Sequence, residues 1–119
     1  MAIAELGAVV LDCPEPRALA DFYARMLGGS VEGEGDWVDL KVPGGPALAF
    51  QAAPGFVPPQ WPAPDQSQQF HLDLTVEDLD AAEEGVLALG AKPLDAGDHS
   101  RTFRVYADPA GHPFCLCAC

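Results

Sequence analysis

The chain has 119 residues, of which 49% are hydrophobic and 20% are charged, and this length allows one domain with an apolar core but not two. Its 6 basic and 18 acidic residues give a net charge of −12, which disfavours nucleic acid and anionic membrane surfaces as partners. No apolar run approaches the roughly 20 residues of a membrane span, and the N-terminus lacks the pattern of a signal peptide. We therefore expect a single cytoplasmic domain over residues 1–119, with its cysteines reduced.

The first half of the chain, over about residues 1–53, predicts a strand, a helix and further strands. The segment AVVLDC alternates in the manner of a strand from Ala8 onward. Apolar residues such as Leu19, Tyr23 and Leu27 then recur at helical spacing, and the helix is predicted to end at a Gly-Gly pair. The segments WVDLKV and ALAFQ, separated by a Pro/Gly turn, predict two strands.

The second half, over about residues 68–119, repeats this pattern with HLDLTV, EDLDAAEEGVLALGA, TFRVYAD and FCLCAC. Residues 54–67 between the halves are rich in proline and predict a stiff extended connection. Trp61 on this connection is either part of a packing flap or part of a lid over a ligand cavity. Two equivalent modules of strands and one helix indicate an α+β fold with the helices on the outer face.

The strand alternation assigns a set of polar and aromatic side chains to the sheet face opposite the helices. If the apolar residues of HLDLTV meet the helix, then His71, Asp73 and Thr75 face away from it. Two curved sheets lined in this way indicate a half-open barrel around a small-molecule cavity, although a solvated open face would look the same. The same alternation selects further lining residues, which are Trp37, Asp39, Lys41, Ala49, Gln51, Arg104, Tyr106, Cys115, Cys117 and Cys119.

Three segments, DCPEPRALADFYARMLGG, FHLDLTVEDLDAAEEGVLALGA and FRVYADPAGHPFCLC, resemble the vicinal oxygen chelate superfamily. This group contains glyoxalase I, bleomycin-resistance proteins and extradiol dioxygenases, and the chain is most similar to its short glyoxalase-like domain proteins. The resemblance implies two βαβββ modules that form an eight-stranded half-open barrel, often in a homodimer. Membership of a fold does not fix the chemistry, so the function depends on individual residues.

The resemblance also implies where a divalent metal would bind, on the first and last strands of each module. His71 matches the first ligand position of the second module, and Cys115 matches the last. In the first module these positions fall on Ala8, which has no donor atom, and on Ala49 or, two residues further along, Gln51. Because this set of ligands is incomplete, we expect no bound metal. The alternative is that His71, Gln51 and Cys115 hold a divalent metal such as Zn, Fe, Mn or Ni.

Several of these residues also have a purely structural interpretation. His71 is either a metal ligand or a core histidine that hydrogen-bonds a neighbouring strand or Asp73. Arg104 either orients an anionic group of a ligand or forms an internal ion pair with Asp73 or Asp39. The cysteines of FCLCAC are either a soft-metal strip or small buried hydrophobic residues, and the acidic start of the second helix is expected to be solvated.

Two functions fit this pattern. The first is a small-molecule binding protein of the glyoxalase/bleomycin-resistance type, with a degenerate metal site and a planar apolar or aromatic ligand in the barrel cavity. The second is a metal-dependent lyase, isomerase or dioxygenase of the same superfamily. Alanine at position 8 favours binding over catalysis. The candidate ligand-binding residues are Trp37, Asp39, Gln51, Trp61, His71, Asp73, Arg104, Tyr106 and Cys115.

Overall fold

A computed structural model describes residues 2–3, 5–59 and 71–118 of the chain. The predictions for Trp61 and Cys119 lie outside these residues. Contacts within the chain divide it into two compact units, Met1–Phe56 and Val57–Cys119, which are called the first unit and the second unit below.

The first unit is a four-stranded mixed sheet with one helix. Its elements are β1 (Ala8–Cys13), α1 (Pro16–Leu27), β2 (Ser30–Glu32), β3 (Trp37–Lys41) and β4 (Ala47–Ala52). The strand order is β1-β4-β3-β2, in which β1 runs parallel to β4 and the other neighbours are antiparallel. The first and last strands of the unit are therefore paired in its sheet.

Helix α1 packs against this sheet through an apolar stripe. Pro16 takes the first helical position, where its fixed φ suits a helix start, and the helix ends at Gly28, whose φ is 79°. Leu19 and Tyr23 are buried on the inner side of the helix. The Tyr23 ring stacks on Phe50 of β4, with 5.7 Å between the ring centroids.

The second unit repeats the same arrangement. Its elements are β5 (Leu72–Thr75), α2 (Leu79–Ala88), β6 (Lys92–Asp95), β7 (Phe103–Ala107) and β8 (Pro113–Cys117). The order is β5-β8-β7-β6, and β5 is parallel to β8. Helix α2 begins at Asp78, whose Oδ1 accepts hydrogen bonds from the backbone N–H groups of Asp80 and Ala81.

The predicted α+β class with two βαβββ modules is confirmed. Strands β2 and β6 were not predicted individually, because one is only three residues long and the other contains a proline and a register shift. Neither described helix has the length and apolar character that crossing a bilayer requires. Cys13 and Cys115 are free thiols, but the expectation that all cysteines are reduced is wrong for Cys117, which is disulfide-bonded.

Candidate functional site

Three potential metal-binding side chains of the second unit lie on one face of its sheet. Asp73 on β5 is the register partner of Cys115 on the parallel strand β8, so their side chains point to the same side. His71 lies two residues before Asp73 and immediately before β5. The candidate ligand atoms of His71, Asp73 and Cys115 all lie within 4.8 Å of one another. These three residues are called the His71 cluster.

The His71 cluster has a buried side and a solvent side. Cys115 is only 5% exposed, whereas the side chain of Asp73 is 69% exposed. His71 Nε2 lies 3.1 Å from Asp73 Oδ1, within hydrogen-bonding distance. The predicted proximity of His71 and Cys115 on one sheet face is therefore observed, and the alternative contact of His71 with Asp73 is observed as well.

Burial, together with the negative charges of Asp73 and Asp95, raises the pKa of the Cys115 thiol to about 11. Asp95 belongs to the same side of the sheet, because it pairs with Val105 on β7 and Val105 pairs with Cys115. Arg101 opposes these carboxylates and lowers the pKa of the thiol. The surroundings of Cys115 thus favour the neutral thiol over the thiolate.

Arg101 is a neighbour of the cluster that was not among the predicted site residues. Its Nη2 donates hydrogen bonds to Asp95 Oδ1 at 2.8 Å and to the Asp95 carbonyl oxygen at 3.0 Å. Its guanidinium carbon lies 4.5 Å from the centre of the Phe103 ring, in a cation–π arrangement. A single arginine in the turn that precedes β7 gives no periodic signal, so the sequence could not assign it to a face of the sheet.

The predicted facing of Arg104 and Tyr106 is wrong. Arg104 pairs with Leu116 and Tyr106 pairs with Phe114, so both side chains lie on the sheet face opposite to that of Cys115. Arg104 Nη2 donates to Asp80 Oδ1 at 2.8 Å. Both Arg104 and Tyr106 reach toward α2 and lie outside the face that carries the His71 cluster.

Tyr106 is tied to the same helix by its hydroxyl group, which donates to Glu83 Oε1 at 2.7 Å. Arg104 Nη1 lies 3.4 Å from Glu83 Oε2, so one carboxylate serves both side chains. Burial and the Glu83 carboxylate raise the pKa of Tyr106. The internal ion pair considered for Arg104 therefore exists, but its partners are Asp80 and Glu83 on α2, in place of Asp73 or Asp39.

In the first unit, the predicted face of β3 and β4 is observed. Trp37 pairs with Gln51, and Asp39 pairs with Ala49, which in turn pairs with Val10 on β1. The intervening residues of β3 are buried on the side of α1. The face opposite α1 therefore carries Val10, Trp37, Asp39, Ala49 and Gln51, and these five residues are called the Trp37 face.

The indole of Trp37 is held in place and is accessible. Its Nε1 donates to Asp39 Oδ1 at 3.1 Å, and the residue is 45% exposed. Val10 is 44% exposed, whereas the small side chain of Ala49 is fully buried. An apolar floor beside a fixed aromatic plane is a surface on which a flat ligand can stack.

A four-stranded mixed sheet with one helix, present twice, and a histidine immediately before β5 are the features that the resemblance to the vicinal oxygen chelate superfamily implied. The family model described as the glyoxalase-like domain matches residues 8–117, and the chain belongs to this family. None of the curated proteins compared with it matches.

Solved structures support the same fold. A glyoxalase/bleomycin resistance protein/dioxygenase family enzyme from Burkholderia phytofirmans PsJN is 17% identical, with a TM-score of 0.74 over 95% of this chain and 97% of that one. A glyoxalase family protein from Enterococcus faecalis is 24% identical, with a TM-score of 0.68 over 98% and 99%. The oxidase ChaP-H2 is 19% identical, with a TM-score of 0.66 over 97% and 93%.

The metal set implied by the superfamily does not fit this chain as a whole. Two of its four positions carry Ala8 and Ala49, which have no ligating side chain, and Gln51 offers only an amide oxygen. The second unit retains a histidine and a cysteine at its two positions and adds Asp73 as a third donor. The donors of this chain are therefore concentrated in one unit.

Proposed function

We propose that this protein binds a small planar molecule of apolar or aromatic character, as a binding protein of the glyoxalase/bleomycin-resistance type. The observation that carries the proposal is Trp37, a half-exposed indole fixed by Asp39 on a sheet face where the superfamily's ligand position holds alanine. Alanine at positions 8 and 49 removes metal ligands and leaves room for a ligand. We further propose that the protein acts in the cytoplasm as a homodimer.

The charge of the Trp37 face narrows the class of ligand. Asp39 lies beside the indole, and Gln51 offers an amide that both donates and accepts hydrogen bonds. The sequence suggested that Arg104 could bind an acidic group of the ligand, but its side chain instead donates a hydrogen bond to Asp80 on α2. A neutral or cationic planar ligand with a hydrogen-bond donor therefore fits better than an anionic one.

The experiment is a fluorescence titration with planar neutral, cationic and anionic aromatic compounds. A Trp61→Phe background leaves Trp37 as the sole tryptophan, since the chain has only two. We expect the emission of Trp37 to change when neutral or cationic compounds are added. Calorimetry should show that Trp37→Ala reduces the binding free energy of the tightest ligand by about 1–3 kcal/mol.

The control for this titration is Leu87→Ala, which removes an exposed apolar side chain from α2, in the other unit. It should leave the affinity unchanged. A confirmed ligand that binds Trp37→Ala and the parent protein equally well would place the binding site elsewhere and refute the proposal.

The second candidate function is that of a metal-dependent lyase, isomerase or dioxygenase, and the His71 cluster is the observation that favours it. A divalent metal held there would supply Lewis-acid stabilisation of an oxygen anion on the substrate. Turnover that requires added metal and is lost in His71→Ala would support this alternative over simple binding.

A further inference from the structure

We propose that Cys117 and Cys119 form a redox pair, whose disulfide accepts two electrons from low-molecular-weight thiols such as glutathione. The chain has four cysteines, of which Cys13 and Cys115 are free thiols and Cys117 is disulfide-bonded. Within one chain, Cys119 is therefore the only partner that the sequence offers. This proposal does not depend on ligand binding at the Trp37 face, which belongs to the other unit.

The spacing of the two cysteines argues against a structural disulfide. Only Ala118 separates them, and a disulfide that closes so small a ring removes little conformational entropy from the unfolded chain. The bond therefore adds little to the stability of the fold. Because the two equilibria are linked, folding in turn adds little to the stability of the bond, and a disulfide that the fold does not stabilise is open to reduction by thiols.

The strand that carries Cys117 gives the bond no support. Residues two apart in an extended strand are separated by roughly 6.6 Å, whereas a disulfide joins Cβ atoms about 3.8 Å apart. The bond is thus incompatible with a regular continuation of β8, and β8 ends at Cys117. Strand pairing therefore does not hold the two sulfur atoms at bonding distance.

The backbone at Cys117 is fixed independently of the disulfide. The Cys117 carbonyl oxygen accepts a hydrogen bond from the Val76 N–H at 2.9 Å, and the Ala118 N–H donates to the Thr102 carbonyl oxygen at 2.8 Å. Both bonds are made by main-chain atoms and do not involve the sulfur. Breaking the disulfide therefore leaves β8 paired, so the site can change its redox state without unfolding the second unit.

Solvent reaches Cys117 more readily than it reaches Cys115. Cys117 is partly exposed, whereas Cys115, two residues earlier on the same face of β8, is only 5% exposed. The register partners of Cys117 are Thr75 and Phe103, and neither carries a charge. In a chain with a net charge of −12, this spares an incoming thiolate the repulsion of a directly paired carboxylate.

The exchange has two steps. A thiolate attacks one sulfur of the disulfide, forms a mixed disulfide with it, and releases the other cysteine as a thiolate that takes up a proton. A second thiolate then attacks the mixed disulfide at the sulfur of the first thiol and releases the remaining cysteine, which is protonated in turn. Two thiols are thereby oxidised to one disulfide, and the cysteine pair gains two electrons and two protons.

The test is to equilibrate the parent protein with a series of ratios of reduced to oxidised glutathione. Acid quenching, alkylation in denaturant and intact mass measurement then count the free thiols. We expect four labels in reducing mixtures and two in oxidising mixtures, because Cys13 and Cys115 are labelled in both states. A disulfide that survives the most reducing mixture, or one that does not form in the most oxidising mixture, would overturn the proposal.

Variants and peptide mapping assign the pair. Cys117→Ser and Cys119→Ser should each abolish the change from four labels to two, whereas the matched controls Cys13→Ala and Cys115→Ala should keep a loss of two labels on oxidation. Loss of the step in Cys115→Ala would show that exchange runs through Cys115 and refute the assignment. Peptide mapping of the unmodified protein locates the bond without any variant that must fold, and a disulfide between two chains would also refute it.

Reduction should leave the midpoint of thermal unfolding unchanged, because the ring encloses a single residue. We would compare the oxidised protein with protein reduced by a phosphine, which adds no thiol. A clear fall of the midpoint on reduction would identify a structural disulfide and contradict the proposal. None of these measurements involves a planar ligand, so this proposal and ligand binding at the Trp37 face can fail separately.

Discussion

Arg104 on β7 donates a hydrogen bond of 2.8 Å to Asp80 on α2, although the side chain of Arg104 is only 3% exposed and that of Asp80 is 78% exposed. The guanidinium therefore lies within the layer between sheet and helix, with its charge directed at the helix surface. Val86 is the only residue of α2 that is buried. Helix α2 is therefore held to its sheet by polar contacts to a greater extent than α1 is.

Tyr106→Phe should lower the stability of the protein without changing ligand affinity. The substitution removes the hydroxyl that donates to Glu83 at 2.7 Å, and a buried hydrogen bond to a charged group contributes roughly 1.5–3 kcal/mol. Urea unfolding would measure the loss. In a double-mutant cycle with Glu83→Gln, the two effects should be clearly non-additive, and simple additivity would show that the contact is not energetically important.

The ion pair of Asp80 should make stability depend on pH in the acid range. The hydrogen bond and charge of Arg104 hold the pKa of the Asp80 carboxyl below its ordinary value of 3.8. Because this pKa is lower in the folded state, the ionised carboxyl stabilises the folded protein at every pH above its ordinary pKa. The contribution is lost as the pH falls through the lower pKa of the folded state.

We therefore expect the stability advantage of the parent protein over Asp80→Asn to shrink as the pH falls below about 4, through the lowered pKa of Asp80. Urea midpoints at several pH values would measure this difference. A constant gap between parent and Asp80→Asn across the range would contradict the prediction.

The two helix starts differ in a way that can be measured. Asp78 caps α2 through bonds of 2.9 Å and 3.2 Å from the N–H groups of Asp80 and Ala81, so Asp78→Ala should cost about 1 kcal/mol. Glu15 holds the same position before α1 but makes no side-chain capping bond. Glu15→Ala is the matched control and should change the urea midpoint little. Equal effects would mean that the Asp78 cap is not formed in solution.

Adjacent glycines after α1 should differ in their tolerance of alanine. Gly28 and Gly29 both have a positive φ, which an alanine at either position would adopt only at a cost of roughly 1 kcal/mol or more. Only at Gly29 would the added methyl overlap a backbone atom, the carbonyl oxygen of Lys41. Thermal melting should therefore show a clearly larger loss for Gly29→Ala than for Gly28→Ala, and the reverse order would contradict the packing at this turn.

Asp39→Asn should weaken a planar ligand less than Trp37→Ala does. Asparagine retains an oxygen that accepts from the indole N–H, so the ring stays in place and only the charge beside the ligand changes. We expect neutral ligands to lose about 1 kcal/mol or less and cationic ligands to lose more. Calorimetric titration of a matched neutral and cationic pair would measure this. Equal losses for both would indicate that Asp39 does not face the ligand.

The repeated modules, both helices and the proximity of His71 to Cys115 were predictable from the sequence, because they follow from periodicity and from the resemblance. The facing of β7 was not. Alternation separates Arg104 and Tyr106 from Val105 but does not say which set meets the helix. The assumption that polar side chains face away from the helix is wrong here, because the acidic side chains of α2 form hydrogen bonds with Arg104 and Tyr106.

Asp73 was assigned to the correct face, but its proximity to Cys115 was not predicted, since it depends on the register of β5 against β8. Arg101 was missed for a related reason. Its contacts with Asp95 and Phe103 bring together a turn and two strands, and no spacing in the sequence encodes them.

Each sheet joins strands that are far apart in the chain. Asp73 on β5 pairs with Cys115, and Val10 on β1 pairs with Ala49, both across about forty residues of intervening chain. The intervening chain must be ordered before these strands can pair, and this loop closure costs more conformational entropy than forming a local hairpin does. Folds with such long-range strand pairs therefore fold slowly for their size. Neither module can complete its sheet by growing outward from a single turn, so the His71 cluster comes together only when the last strand of its module docks.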